Sequence, residues 1–228
     1  MGRLGDYYLS KKGYGMSIFQ GISSGVMKTA IVAAAICGMS VSSVAQDNTA
    51  PASQVVKPFM GDITFGSKDA KVEIIEYASL TCGACGHFAK HIFPRIEEDY
   101  IKTGKIRFII RHLLRDRVDL AASVIARCGT EEQAKSSIKK FLDRQDKWLK
   151  SKNLMLSMHA IALTEGVSKS DVDSCLQNRE LQQTLINMTQ KGHQIFEVKS
   201  TPTLILNGEK IAFKNYADLQ KLIDEAVK

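Results

Sequence analysis

The tetrapeptide Cys82-Gly83-Ala84-Cys85 falls where the chain changes its period. Just before it, Lys71 to Tyr77 (KVEIIEY) is short, β-branched and largely apolar, which suits a strand covered on both faces. Just after it, Phe88, Ile92, Ile96 and Tyr100 recur at every fourth position, the stripe of a half-buried helix. A cysteine pair at a strand-to-helix turn narrows the choice of folds, because both thiols must lie where a strand ends and a helix begins. Pro94 interrupts the helical stripe and predicts a kink, since proline lacks the N–H that the ladder needs. Gly104 ends the helix, and Ile106 to Leu114 (IRFIIRHLL) reads as a second strand, with room between the strands for a right-handed β-α-β crossover.

From Asp119 to about Phe196 the periodicity is helical throughout. Leu120, Val124 and Ile125 mark one helix, and Ile138, Phe141, Leu142 and Trp148 another. Met155 to Val167 and Leu181 to Ile195 give further helices, joined through Gly129, Gly166 and a Ser168–Asp171 cap. The pattern then changes. Thr203 to Leu206 is a strand, Asn207-Gly208 a hairpin turn, Lys210 to Phe213 a returning strand, and Tyr216 to Val227 an amphipathic helix. The order β-α-β, helical block, β-β-α predicts an α/β fold with a mixed sheet.

Residues 1–45 read as an address. Lys28 precedes the apolar run Ala30–Met39, no charge occurs from Thr29 to Gln46, and Ser43-Val44-Ala45 offers small residues for cleavage after Ala45. The run is too short for a comfortable membrane span. Ile36 rather than a small residue precedes Cys37, so a plain exported product is preferred to a lipoprotein. The full chain has 31 Lys+Arg against 24 Asp+Glu, a net charge of +7 that would ordinarily raise nucleic acid as a partner. The leader carries Arg3, Lys11, Lys12 and Lys28 against Asp6, so it accounts for three of those seven charges, and the rest are spread over helices. No nucleic-acid partner is expected. Residues 46–61, with Pro51 and Pro58, read as a flexible lead-in; residues 62–118 and 197–228 form the sheet-bearing domain, interrupted by a helical domain at 119–196.

Outside the leader there are four cysteines: Cys82, Cys85, Cys128 and Cys175. An even number in an exported protein points to disulfides. The C-x-x-C spacing makes Cys82 pair with Cys85, and so small a ring has chemical rather than structural value. Cys128 and Cys175 remain, either as a structural disulfide closing a long loop or as two buried free thiols.

With these elements in order, the chain resembles the thioredoxin-fold thiol oxidoreductases of the DsbA family, in which a helical domain is inserted into a thioredoxin-like mixed sheet. The resemblance runs from about Gly61 to Lys228. It rests on Glu76-Tyr77-Ala78-Ser79-Leu80-Thr81-Cys82-Gly83-Ala84-Cys85, on the Pro94-containing helix and on Ser200-Thr201-Pro202-Thr203. It implies dithiol–disulfide exchange without a cofactor, in the periplasm, on reduced exported proteins. It also implies reoxidation by a DsbB-type membrane partner, and a cis Pro202 that, with Thr201, binds substrate opposite the disulfide. A monomer is expected, since only the short lead-in is available to supply the extra dimerisation module that isomerases of this kind carry.

The chemistry follows from a thiol at a helix start. Cys82 would sit at the N-cap, where free N–H groups and the macrodipole favour a thiolate nucleophile, while Cys85, one turn in, would be the buried resolving thiol. Glu76 shares strand parity with Val72 and Ile74, so its carboxylate faces a helix-covered side of the sheet, where an idle charge is costly. Its expected role is to shuttle a proton to or from Cys85; the alternative is a strand-end carboxylate reaching solvent or pairing with Arg111. The Gly-Ala dipeptide departs from the Pro-His of the best-studied family members, which predicts a weaker oxidant, and Thr201 before Pro202 keeps an isomerase or reductase in view. A different class is a metal-binding module built from Cys82, Cys85, His87 and His91, against which stand the lack of a second C-x-x-C and of an H-E-x-x-H. No metal is expected.

Overall fold

The computed structural model describes residues 56–228. The leader assigned to 1–45 and most of the lead-in lie outside the described residues. The elements run β1 (Ile63–Phe65), β2 (Val72–Ala78), α1 (Gly83–His91), α2 (Phe93–Ile96), a π-helical turn (Glu97–Ile101) and β3 (Ile106–His112). Six helices follow: α3 (Arg117–Ala126), α4 (Glu131–Asp143), α5 (Gln145–Trp148), α6 (Leu154–Leu163), α7 (Lys169–Gln177) and α8 (Arg179–Phe196). The chain closes with β4 (Thr203–Leu206), β5 (Glu209–Ile211) and α9 (Tyr216–Ala226).

The strands form one mixed sheet in the order β1-β3-β2-β4-β5. β2 and β3 are parallel, with Val72 opposite Ile106 and Ala78 opposite His112. β4 lies antiparallel to β2 and turns into β5 through Asn207 and Gly208, both at positive φ, as the tight hairpin turn requires. β1, which the sequence reading did not contain, adds antiparallel to β3 with Ile63 opposite Ile110. It is three residues long and carries too little alternation to register as a strand before its partner is known.

Alternation along the strands separates two packed faces. Ile74, Phe108, Ile110 and Leu204 face α1 and the helical block in the main core, while Ile75, Tyr77, Ile109 and Ile205 pack with Val198 and Phe196 on the other side. The break at Pro94 is sharper than a kink. α1 stops at His91, α2 restarts with Pro94 in its first turn, and the π-helical turn after it brings Tyr100 inward, where its hydroxyl donates to Asp224 of α9 at 2.6 Å.

The helical block opens at Arg117, capped by Asp116, whose side chain accepts from Asp119 N–H. The Ser168–Asp171 cap is reciprocal: Ser168 Oγ accepts from Asp171 N–H, and the Asp171 carboxylate accepts from Ser168 N–H, both at 3.2 Å. Cys128, just past α3, and Cys175 on α7 are joined by a disulfide with Cα atoms 5.9 Å apart. The last residues of the lead-in lie against this block: Phe59 N–H donates to Arg127 O, and the buried Arg127 guanidinium donates to the carbonyl of Gly61 at 2.6 Å. Among the described residues no helix is long and apolar enough to cross a membrane.

Candidate active site

β2 ends at Ala78, and the next four residues carry the chain from the sheet into α1. Ser79 Oγ accepts from Thr81 N–H at 3.2 Å, and Cys82 N–H donates to Ser79 O, which makes a tight turn. The peptide of Leu80 is gripped on both sides by the helical block. Its N–H donates to the buried Asp119 carboxylate at 2.9 Å, and its carbonyl accepts from Gln145 Nε2 at 2.8 Å. Cys82 then takes the N-cap position of α1 with extended backbone, φ −87° and ψ 117°. Its sulfur sits at the positive end of the helix, next to N–H groups that have no helical partner.

Both cysteines are free thiols, 8% exposed at Cys82 and fully buried at Cys85. The Cys82 thiol faces the Thr201 carbonyl, to which it donates at 3.2 Å. Their ionisation is split. A hydrogen bond from the Cys85 thiol pulls the Cys82 pKa down to about 5, against the opposing effect of burial; the Thr201 side chain and the N–H groups of Cys85 and Ala84 add to the pull. The same thiol–thiolate bond pushes Cys85 far up, together with burial and the negative charge of Glu76. One sulfur is thereby a thiolate at neutral pH and the other keeps its proton.

Glu76 is 2% exposed, and its Oε1 has no hydrogen-bond partner. Burial first, and the Cys82 charge second, raise its pKa to about 8, so near neutrality it is largely a protonated acid. The pairing with Arg111 is not made. In the β2–β3 register Glu76 stands opposite Ile110, and Arg111 stands opposite Tyr77 on the other face, where it forms an ion pair with Asp62 at 2.7 Å. Nor does the carboxylate lie free at a strand end. It contributes instead to the wall of a cleft of about 700 Å³ between α1–α2 and α4, alongside Phe65, Phe93, Leu142 and Lys139.

The Thr201–Pro202 peptide bond is cis. It enters β4 and presents the Thr201 carbonyl to Cys82, so two segments 119 residues apart meet at one sulfur. His87 and His91 are exposed on α1 with ring centroids 4.6 Å apart. Among the described residues no group of three or more His, Cys, Asp or Glu side chains comes together as a metal site. Sequence reasoning missed Asp119 and Gln145. Each reaches the Leu80 peptide from a helix dozens of residues away, and neither stands in a motif that marks it.

Cys82 stands at the N-terminus of α1 with Cys85 one turn in, the Thr201 carbonyl and cis Pro202 beside it, and Glu76 acts electrostatically on the pair. The family model described as thioredoxin matches residues 60–225. A putative protein-disulfide oxidoreductase of Rickettsia bellii is 30% identical over 173 residues, covering 73% of this chain and 64% of its own length. The chain thus spans under two thirds of that relative. Disulfide bond formation protein D of Bacillus subtilis is 24% identical, with 74% of this chain and 78% of that protein covered. The crystal structure of alpha-DsbA1 from Wolbachia pipientis superposes with a TM-score of 0.67 at 25% identity, covering 75% of this chain and 92% of that one.

Proposed function

The chain belongs to the thioredoxin family, among its DsbA-like protein-disulfide oxidoreductases, and on that premise we propose that it donates disulfides to reduced exported proteins in the periplasm. The observation that carries the reading is the split between the two thiols, with Cys82 depressed to about 5 and Cys85 raised. A donor of disulfides has to stabilise its own reduced form, and a thiolate held at a helix N-terminus does so.

In the oxidised protein, a substrate thiolate attacks Cys82 Sγ, the Cys82–Cys85 bond breaks, and the electron pair leaves on Cys85. A second substrate thiolate then attacks the substrate sulfur of the mixed disulfide. The substrate leaves with a new disulfide, and the two electrons remain on the Cys82 thiolate and the Cys85 thiol. Cys85 needs a proton as it departs, and it returns that proton on reoxidation. Glu76 is the acid for this step, because when ionised it acts electrostatically on Cys85, which places it nearby, and near neutral pH it still holds a proton to give. The cleft it lines gives the proton a way to solvent. Thr201 and Pro202 hold the substrate backbone beside Cys82. The protein acts as a monomer without a cofactor and is reoxidised by a DsbB-type membrane partner.

Equilibration with glutathione buffers tests the reading. A potential near −120 to −180 mV marks a donor or isomerase, and one near −270 mV a reductase, on the scale of about 30 mV per tenfold change in the two-electron equilibrium. The Gly-Ala dipeptide places the expected value at the weaker end of the donors. Absence of Cys82-dependent exchange with glutathione would sink the proposal.

A further inference from the structure

Gln145 opens α5 in the helical block, yet its side chain is 5% exposed and ends beneath the active-site turn. Its amide nitrogen donates to two carbonyls, Leu80 O at 2.8 Å and Cys82 O at 2.9 Å. Only the NH₂ end of the amide can satisfy two acceptors, so both hydrogens are used. The Cys82 carbonyl also receives the first helical bond of α1, from Gly86 N–H at 3.1 Å. The Leu80 carbonyl precedes the helix and has no such donor; without Gln145 it would be an orphan in the core.

These two bonds span the residue before the nucleophile. With Asp119 holding Leu80 N–H, the peptide planes on both sides of Leu80 and the one after Cys82 are held from outside the turn. That sets the direction of the Cys82 side chain relative to the N–H groups of Ala84 and Cys85. It also gives the Leu80 carbonyl, which has no helical donor, an N–H to accept from.

Gly86 supplies a second, separate observation. It lies inside α1, where glycine weakens a helix. A Cβ at this position would stand 2.6 Å from Gln145 Oε1 and 3.2 Å from its Cδ. The glycine leaves the space that the amide occupies.

We infer that Gln145 is a positioning residue for the Cys82 nucleophile, and that Gly86 is the gap through which the helical block reaches the active-site turn. The inference rests on the disulfide-exchange reading above and adds a residue to it: the inserted helical block tunes the reactivity of the cysteine pair from behind.

The test measures the Cys82 thiolate by its absorbance at 240 nm against pH, together with the equilibrium constant with glutathione, in wild type, Gln145→Ala, Gln145→Glu, Gly86→Ala and the Gly86→Ala/Gln145→Ala double variant. Gln145→Glu keeps the shape but sets an oxygen against two carbonyls. The expected result for each single variant is a thiolate midpoint raised by about one pH unit, with the glutathione equilibrium shifted about tenfold toward the disulfide form. In the double variant, Gly86→Ala adds no further shift, since the amide it displaces is gone. Should either Gln145 variant fail to fold, Gly86→Ala alone decides, because it moves the amide without deleting it. Unchanged midpoints in the folded variants, or an equal Gly86→Ala shift with and without Gln145, overturn the inference. A wild type that does not exchange with glutathione overturns the parent reading instead, and the 240 nm titration distinguishes the two.

Discussion

The thiol of Cys82 donates to the backbone carbonyl of Thr201 across 3.2 Å, joining the start of α1 to the residue before the cis Pro202. When the thiol ionises, that carbonyl has nothing to accept, and the Thr201 side chain becomes the favourable contact. One residue therefore faces both protonation states of the nucleophile.

Replacing Thr201 with Val removes the hydroxyl and keeps the carbonyl. The midpoint of thiolate absorbance, expected near pH 5 in the wild type, should rise by on the order of one unit, as a hydrogen bond to a charged group is worth about 1.5–3 kcal/mol before compensation. A midpoint that stays put would show that the hydroxyl does not reach the thiolate.

Cys82→Ser should abolish exchange with glutathione, while Cys85→Ala should still attack and then stall. The stalled species is a mixed disulfide on Cys82, visible by mass as one glutathione per chain. Its accumulation on Cys85 in a Cys82→Ala variant would reverse the assigned roles, because a buried thiol with a raised pKa is a poor nucleophile.

Glu76 gives a pH signature in stability. Its folded pKa of about 8 lies above the ordinary 4.5, so between those values the folded state holds a proton that the unfolded state has lost. The group therefore lowers stability as pH rises through that window, by at most about 1.4 kcal/mol per pH unit. Glu76→Gln should be more stable than wild type at pH 8 and indistinguishable below pH 4, as read by urea unfolding. It should also slow exchange; an unchanged rate removes Glu76 as the proton carrier. Oxidation of the cysteine pair removes the Cys82 charge, so the Glu76 pKa should fall in the disulfide form.

His112 is buried beside Arg127, its two ring nitrogens have no partner, and burial with the neighbouring charge holds its pKa well below 6.5. The unfolded chain takes up a proton there that the folded chain refuses, so stability falls as pH drops below about 6.5. His112→Phe should flatten this acid limb in a thermal unfolding series from pH 7 to pH 4. An identical slope in the variant would assign the acid loss elsewhere.

Deleting the Cys128–Cys175 bond by a double Ala substitution opens a loop with a sequence separation of 47. On the chain-entropy account this costs about 4 kcal/mol. Calorimetry at neutral pH should show a markedly lower Tm; a shift of a degree or two would mean that the packing of α3 on α7 suffices without the bond.

Much of the molecule could be read along the chain. The change of period at Cys82, the helical block and the Asn207-Gly208 turn are local signals, and each became the element it indicated, whereas the stripe from Phe88 to Tyr100 was divided near Pro94 into α1, α2 and a π-helical turn. β1 was not legible, because three residues acquire strand character only by pairing with β3. Glu76 was legible by parity as a buried acid. Its freedom from Arg111 was not, because that depends on which face β3 turns toward β2 and on the nearness of Asp62.

The sequence alone determined that two thiols stand at a strand-to-helix turn in an α/β chain with an inserted helical block, because periodicity, turn residues and cysteine spacing act over a few residues. Only the tertiary structure decided what surrounds the nucleophile: the Thr201 carbonyl, the Asp119 and Gln145 grips on Leu80, and the space at Gly86. A buried polar group takes whichever partner the packing brings to it. At this site those partners lie between 39 and 119 residues away along the chain, a distance over which no local pattern carries information.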